Sequence, residues 1–353
     1  MIAGRGAGQE RSGVTERRSA RPPSMVDVAR EAGVAHVTVS RVLNNHPSVR
    51  PQTRERVVAA IERLGYRRND VARSLKSGRS MTVGVVIAGS GLFELPRILL
   101  GVEEAAQRAG YWVNMSSWQG GDADRLAATV DRLASQAAEG VAVIADRLVC
   151  VEALERLVTR VPMTVVMSGD LANPGIGSVE LDQELGARLA TRHLLELGHR
   201  DITHLTGRLT TFDARARVDG WRAEMREAGV ATPEMLEGDF SAESGYRLGL
   251  EVARRERRPT AVFAGNDQMA IGVLAAFAEE GVTVPGDVSL VGFDDIKGAE
   301  YLVPSLTTVR QDFVTLGRTC IEVLLGMMGG ERPRHHLIAP SLVARRSSAA
   351  PVR

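Results

Sequence analysis

A group of side chains between residues 36 and 44 has the types and spacing needed to read nucleic-acid bases. His36, Val37, Ser40, Arg41 and Asn44 share one face if this stretch is helical, because residues three or four positions apart are neighbours on a helix. The face offers hydrogen-bond donors, an aromatic nitrogen and a small apolar contact, with no acidic residue. This mixture suits a helix in the DNA major groove. An ordinary helical hairpin with a polar face is the alternative.

Two short helices joined by a tight turn would position this face. Gly33 can adopt a positive φ at the turn, and Ser24 precedes Asp27 with the spacing of a capping box. Pro51 suits the first turn of a third helix, Gln52 to Leu64, which would close a three-helix core. The apolar positions predicted for that core are Val28, Ala29, Ala32, Val39, Val42, Leu43, Val57, Val58, Ile61 and Leu64.

Composition and charge indicate a globular protein with one basic end. The 353 residues are 44% hydrophobic, which suits two or three domains. Residues 25–79 hold eleven Lys and Arg against five acidic residues, whereas residues 80–353 are acidic overall. A basic segment on an acidic body is expected where one end contacts phosphate. Two cysteines, Cys150 and Cys320, give no disulfide framework, and without a signal peptide or membrane-length apolar run we expect a cytoplasmic protein.

The segments on either side of the three helices have little capacity to fold alone. Residues 1–23 are rich in Gly, Arg and Ser and are predicted to be a disordered basic leader. This leader either adds weak phosphate attraction or is a passive tail. Residues 67–80 form a basic linker in which Asn69 is placed to cap a helical turn. Because so short a helix is marginal in water, it would fold only on meeting a partner.

From Met81 onward, apolar strands alternate with amphipathic helices, which predicts βαβ units and a parallel sheet covered on both faces. The pattern occurs twice, so we expect two α/β lobes with a cleft at the carboxyl ends of the strands. The predicted strands are 82–88, 111–117, 141–146, 162–169, 201–207, 260–265 and 288–295. The predicted helices are 101–110, 125–140, 151–160, 182–198, 215–229, 241–256, 267–281 and 313–330.

Eight sequence blocks in a fixed order carry a family resemblance. They are DVAREAGVAHVTVSRVLN (27–44), TRERVVAAIERLGY (53–66), ARSL (72–75), HLLELGH (193–199), EGDFSAESG (237–245), NDQMAIG (266–272), VGFDD (291–295) and LTTVRQDF (306–313). Over about residues 24–346 the chain resembles the LacI/GalR-type transcription regulators. The resemblance implies an all-α helix-turn-helix head with a hinge helix, plus an α/β two-lobed core like that of periplasmic binding proteins, which dimerises.

The resemblance also implies domain boundaries and an allosteric mechanism. The head would span residues 24–66, the hinge helix and linker 67–80, and the core 81–346, with a tail at 347–353. Within the core, the first lobe would comprise about 81–180 and 312–339, and the second about 181–310 and 340–346. A small effector in the cleft would shift the lobes, and the hinge helices would order on the operator or melt away from it.

Carried over residue by residue, the resemblance assigns DNA contacts in the head and hinge. They are His36, Val37 and Arg41 at the bases, Thr38, Ser40 and Asn44 near phosphates, and Asn69, Ala72 and Leu75 in the hinge. Arg41 is chemically the best base reader, since a guanidinium can bond both O6 and N7 of guanine. Leu75 with Ala72 matches an apolar pair that wedges into the minor groove and bends the duplex. Alternatively, Leu75 packs under the linker.

Three positions depart from the family pattern. Ala35 stands where many relatives have a Ser capping the recognition helix, and Arg50 replaces another expected cap. Arg68 stands where a Pro usually precedes the hinge Asn, so the free hinge would be looser.

An effector site is expected in the cleft. The matching positions are Arg217, Asn266, Asp294 and Gln311 as polar groups, Phe240 as an apolar wall, and Phe93, Leu95, Pro96 and Phe313 on the first-lobe side. Planar polar groups that grip neighbouring hydroxyls beside an aromatic ring suit a sugar. Asp294 or Asn266 could instead cap a turn at a strand end. The family's first-lobe acidic contact falls on Met167 or Ser168, neither of them charged, so a β-galactoside cannot be assumed.

Two other classes of protein are the alternatives, an enzyme and a sugar-binding transport protein. An enzyme would need a catalytic group, but Asp294 and Asp295 are adjacent on a strand end and point to opposite sides, poorly placed to flank one glycosidic bond. No cysteine motif or metal-ligand spacing accompanies them, so we expect no enzyme activity, cofactor or metal. A transport-type sugar-binding protein without DNA binding is disfavoured by the basic head. Residues 347–353 lack a heptad repeat, so a homodimer is expected rather than a tetramer.

Overall fold

The computed structural model describes residues 21, 23–67, 78–88, 94–118, 123–145, 154–155, 160–166 and 173–352. The chain divides into two compact units, Met1–Gly78 and Arg79–Arg353. No helix among the described residues is long and apolar enough to cross a membrane.

The described residues of the amino-terminal unit form three helices, α1 (Met25–Ala32), α2 (His36–Leu43) and α3 (Pro51–Leu64). Ser24 and Asp27 form the predicted capping box on α1, and Gly33 ends the helix at φ 61°. Val39 and Val42 of α2 are buried with Val28, Ala29, Ala32, Val57 and Ala60. One core assignment was wrong: Val58 is 42% exposed, because Ala60 occupies the side of α3 that faces the other helices.

The core unit alternates strands and helices. In chain order these are β1 (Thr82–Ala88), α4 (Leu95–Arg108), β2 (Trp112–Trp118), α5 (Ala123–Ser135), β3 (Gly140–Ala145), β4 (Met163–Val166), β5 (Ile176–Leu181), α6 (Gln183–Glu196), β6 (Ile202–Thr206), α7 (Phe212–Glu227), β7 (Leu236–Glu237), α8 (Ala242–Ala253), β8 (Ala261–Ala264), α9 (Asp267–Glu279), β9 (Ser289–Asp294), a 3₁₀ turn (Ala299–Tyr301), β10 (Thr307–Arg310), α10 (Phe313–Met328), β11 (His335–Ile338) and β12 (Ser341–Val343).

The described strands form two six-stranded sheets, one in each lobe. The first has the order β11-β5-β4-β3-β1-β2 and the second β12-β10-β9-β8-β6-β7. All strand pairs are parallel except β10 with β12. Each sheet has an apolar cluster on both faces, as a parallel sheet covered by helices requires. The all-α head and two-lobed α/β core are therefore confirmed.

Several elements differ from the sequence-based expectation. Strands β5, β7, β10, β11 and β12 were not predicted; they are two to six residues long, and most carry polar residues that hide the apolar pattern. Helix α4 begins six residues earlier than expected because Pro96 lies in its first turn, where the missing N–H costs nothing. The predicted helix at 151–160 falls mostly outside the described residues.

The chain passes between the lobes three times: between β5 and α6, between β10 and α10, and between β11 and β12. Helix α10 consequently packs in the first lobe, although it follows a strand of the second. The segment expected to be a tail is packed as well. Ser347 is fully buried, and its hydroxyl donates to Leu290 O at 2.6 Å.

Candidate nucleic-acid interface and ligand cleft

Helix α2 presents the predicted base-reading face to solvent. His36, Val37 and Arg41 are exposed, Val37 to 56%. Asn44 at the end of the helix is also exposed, while Thr38 and Ser40 lie at the half-buried flanks. A valine this exposed on a short helix is available for contact with a thymine methyl group. The hinge positions Asn69, Ala72 and Leu75 lie outside the described residues.

The position of α2 depends on its carboxyl end rather than on an N-cap. Ala35 and Arg50 occupy the N-cap positions of α2 and α3 without a side-chain hydrogen bond, so both departures from the family pattern leave the cap unfilled. Arg54 of α3 instead holds the carboxyl end of α2 with hydrogen bonds. Its guanidinium donates to Val42 O (3.4 Å), Asn45 Oδ1 (3.0 Å) and His46 O (3.1 Å). Arg54 itself is half-buried.

A four-residue network in the core unit joins three predicted effector residues to one that was missed, Gln183. Arg217 of α7 donates from Nε to Gln183 Oε1 at 2.9 Å, and its Nη2 lies 3.5 Å from Asp294 Oδ1. Gln311 donates to the same Asp294 oxygen at 2.7 Å, and Gln183 donates to Gln311 Oε1 at 2.8 Å. Gln183 and Gln311 lie at two of the places where the chain passes between the lobes. We call these crossing points the pivot, and the network is therefore attached to it.

Phe240 and Asn266 flank this network. The Arg217 guanidinium carbon lies 5.5 Å from the Phe240 ring centroid and 3.9 Å from that of Phe293. Asn266 caps α9 by accepting from Met269 N at 2.9 Å, and it donates to Phe240 O at 3.1 Å. The capping alternative therefore holds for Asn266, whose amide fixes the backbone of the aromatic wall. Phe240 and Asp294 have φ of 70° and 105°, and such strain in non-glycine residues concentrates at ligand sites.

The first-lobe side differs from the expected apolar wall. Phe313 is buried in the first-lobe core, with the Arg97 guanidinium 5.1 Å from its ring centroid. Arg97 also pairs with Glu94 at 3.1 Å and donates to Gln311 O at 3.4 Å. Of the predicted wall, Leu95 is half-buried, Pro96 is exposed, and Phe93, like Met167 and Ser168, lies outside the described residues. Arg97 and Glu94 were missed because no local pattern distinguishes them from surface residues of a helix.

Burial governs the ionisation of this site. It raises the pKa of Asp294 to about 7, although Arg217 and Gln311 oppose the shift; Glu94 and Asp213 add to it. Burial and the neighbouring Asp294 raise the pKa of Asp267 to about 8. Asp267 accepts from Thr308 Oγ1 (2.6 Å) and Ile296 N (2.9 Å). Two buried carboxyls therefore titrate close to neutral pH beside the pivot.

Asp294 and Asp295 have different partners, so they do not act as a pair. Asp295 binds Arg310 and Arg345, each at 2.7 Å, away from the Arg217 network. Within the described part of the chain, no group of three or more His, Cys, Asp or Glu residues could hold a metal ion. Cys320 is fully buried, and burial raises the pKa of its thiol to about 12, which removes it as a nucleophile.

Comparison with known proteins decides the family. Residues 24–69 match the "Bacterial regulatory proteins, lacI family" and residues 191–348 match the "Periplasmic binding protein-like domain". The chain is 34% identical over 335 residues to the lactose operon repressor of Escherichia coli (strain K12), covering 94% of this chain and 92% of that protein. This chain is a member of the LacI family.

Other similar proteins agree with this assignment. The LacI-family chain is 35% identical over 334 residues to the transcriptional repressor PurR of Erwinia tasmaniensis, covering 92% of this chain and 96% of that protein. The Lac repressor dimer bound to operator and the anti-inducer ONPF superposes with a TM-score of 0.82 at 33% identity, covering 94% and 100% of the two chains. The complex of the transcriptional regulator CelR with cellobiose superposes with a TM-score of 0.68 at 30% identity, covering 92% of this chain and 99% of that chain.

Family membership settles the coarse function. This LacI-family protein is a DNA-binding transcriptional repressor with an effector-binding domain, and its relatives are repressors rather than enzymes. The alternative of a transport-type protein without DNA binding is wrong, because residues 24–69 match the family's DNA-binding region.

Proposed function

We propose that the effector of this repressor is an uncharged sugar or sugar-like molecule bound between the lobes. The observation that carries this proposal is the Arg217–Asp294 pair beside the Phe240 ring. A guanidinium donates hydrogen bonds and a carboxylate accepts them, and neighbouring sugar hydroxyls can do both. The Phe240 ring would cover the C–H face of a pyranose. The two described arginines of this site already have carboxylate partners, Glu94 for Arg97 and Asp294 with Asp213 for Arg217, so the charges favour a neutral ligand over a phosphate.

The network explains how such a ligand would change operator affinity. A hydroxyl bonded to Arg217 or Asp294 acts on groups that are hydrogen-bonded to Gln183 and Gln311 at the pivot. The effector then favours whichever lobe arrangement gives it the better bonds. A ~100-fold change in operator affinity requires roughly 2.7 kcal/mol of coupling, which is within the reach of two or three such hydrogen bonds. The coupling is reciprocal, so operator should change effector affinity by the same factor.

The proposed DNA contacts are those of α2 and the hinge. Arg41 and His36 would read base edges, Val37 would contact a thymine methyl, and Thr38, Ser40 and Asn44 would contact phosphates, while Asn69 would cap the hinge helix. Leu75 with Ala72 would wedge into the minor groove. A repressor acts where its operator DNA lies, which supports a cytoplasmic location.

A homodimer would bring two heads to a pseudopalindromic operator. Trp112 and Met115 on β2, the edge strand of the first-lobe sheet, are 70% and 57% exposed, and Leu100 on α4 is 50% exposed. An exposed patch of large apolar residues is typical of an interface. Trp112→Glu should convert the dimer to a monomer in sedimentation experiments, whereas Leu209→Glu on the half-buried second-lobe loop should not.

A thermal-shift screen tests the effector class. Sugars, sugar phosphates and purine bases, which could stack on the same ring, are offered to the wild type and to Arg217→Met. We expect stabilisation by a neutral sugar in the wild type alone; a purine or a phosphate as the only stabilising compound would contradict the proposal. The active compound is then added to an operator-binding assay at two salt concentrations, because phosphate contacts make the affinity salt-dependent.

A further inference from the structure

We propose that Tyr111 and Glu139 are positioning residues that bind the first residues of the core unit to the end of α4. They would thereby transmit the position of α4 to the segment that leads into the DNA-reading head. This inference rests on the proposed allosteric function. We call the group formed by Arg79, Ser80, Met81, Tyr111 and Glu139 the entry clamp.

The Glu139 carboxylate is the centre of the entry clamp. One oxygen accepts from Met81 N at 2.8 Å and from Ser80 Oγ at 3.4 Å. The other accepts from Arg79 Nε at 3.2 Å and from the Tyr111 hydroxyl at 3.0 Å. Arg79 also donates to the Tyr111 hydroxyl. A carboxylate has about four acceptor sites, and here three consecutive residues of the entering chain and one residue after α4 fill them.

The clamped residues are where the core unit begins. The division between the two units falls between Gly78 and Arg79, so the entry clamp holds the residues at which the chain enters the core from the hinge positions. Met81 has a φ of 54°, an unfavourable conformation for a side chain with a Cβ. The hydrogen bond that its backbone N–H donates to Glu139 holds this conformation and thereby fixes the direction in which the chain enters the core.

The opposite end of α4 contacts the ligand network. Arg97, in the first turn, donates to Gln311 O, and Glu94 lies close enough to Asp294 to raise the pKa of that carboxyl. Tyr111 follows the last turn, after the left-handed Gly110 at φ 78°. One helix of 14 residues, about 21 Å long, therefore connects the pivot network to the entry clamp.

Helix α4 is held as a rigid body against α10. A Cβ on Gly101 would lie 2.0 Å from Val314 O, and one on Gly317 would lie 2.0 Å from Ile98 O. The two backbones are in direct contact with no side chains between them. Since α10 begins immediately after Gln311 and Asp312, a shift of the pivot displaces α10 and α4 together. Packed elements of this kind move as units rather than deforming.

Operator DNA itself can test this coupling, because coupling between two sites is reciprocal. Wild-type protein first selects a duplex from a random library. Amide hydrogen exchange is then measured by mass spectrometry on the full chain, with and without that duplex, in the peptides covering α4 and residues 79–83. The variants are Tyr111→Phe and Glu139→Gln. Tyr246→Phe is the matched control, because it removes an equivalent hydroxyl bond to Glu279 in the second lobe.

We expect the duplex to change exchange in α4 of the wild type and of Tyr246→Phe. In Tyr111→Phe and Glu139→Gln this change should shrink about fivefold, the factor one hydrogen bond contributes, although the duplex still binds. Residues 79–83 should exchange faster in both variants without DNA. An unchanged α4 response in both variants would overturn the entry clamp alone. If the duplex bound to the wild type without changing hydrogen exchange in α4, both the entry clamp and the proposed allosteric coupling would be overturned. Thermal melts of free proteins show that each variant is folded.

Discussion

Replacing Asp294 by Asn should stabilise the core at alkaline pH while removing effector binding. Asparagine keeps the shape of the side chain and the acceptor oxygen for Gln311, but it cannot ionise. Burial raises the pKa of Asp294 from 3.8 to about 7, so the folded protein binds this proton more tightly than the unfolded chain does. The stabilising contribution is therefore complete below about pH 4 and is lost as the pH rises through 7.

The size of the effect follows from that pKa. A shift from 3.8 to about 7 corresponds to at most about 4 kcal/mol of lost stability at pH 8. The variant avoids this loss but removes the nearer counter-charge of Arg217, which is 4% exposed, and leaves only Asp213 at 3.9 Å. Because removing one partner of a buried pair is itself costly, we expect a net gain of about 2 kcal/mol at pH 8, or roughly 4–8 °C in Tm.

The assay is differential scanning fluorimetry of wild type, Asp294→Asn and Asp295→Asn between pH 5 and 8.5. The adjacent Asp295 is a control of opposite sign. Despite burial, its hydrogen bonds to Arg345 and Arg310 lower its pKa, so its stabilising contribution is present above its unfolded pKa and Asp295→Asn should lower Tm across this range. If Tm varied with pH in the same way for wild type and Asp294→Asn, the reasoning would be refuted, because folding would then leave the pKa of Asp294 unchanged.

Three further predictions concern the head, the hinge and the core. Leu75→Ala should weaken operator binding more than binding to scrambled duplex; equal losses by fluorescence anisotropy would contradict the wedge. Arg54→Met removes the bonds to the end of α2 and should destabilise the head by about 1–2 kcal/mol, as seen by urea unfolding, whereas exposed Arg56→Met should be neutral. Gly101→Ala should destabilise the core by about 2–3 kcal/mol in calorimetry, while Gly298→Ala, with open space around its Cβ, should not.

The head was predictable from sequence because its structure follows from local signals. The Ser24 capping box, Gly33 at the turn and Pro51 at the start of α3 act within a few residues of chain, and the apolar spacing fixes which sides meet. Even there, the sequence did not show that Arg54 binds the end of α2, since an arginine at that helical position is usually solvated.

The ligand cleft was only partly predictable. Arg217, Asp294 and Gln311 were found through the family resemblance, and the structure brings them together. Gln183 and Arg97 were missed because they lie on ordinary helical first turns with no motif around them. The sequence predicts Phe313 in the cleft wall, but its ring is buried in the first lobe, with the Arg97 guanidinium over it.

The sequence alone determined the three-helix head, the alternation of strands and helices in the core apart from five short strands, and the basic end that reads DNA, because helix periodicity, caps and charge are local properties of the chain. Only the tertiary structure decided which distant groups share a hydrogen bond. Gln183 and Gln311 are separated by 128 positions, and Arg79 and Glu139 by 60. Such contacts depend on how the sheets stack and where the chain passes between the lobes, and no local pattern encodes that geometry.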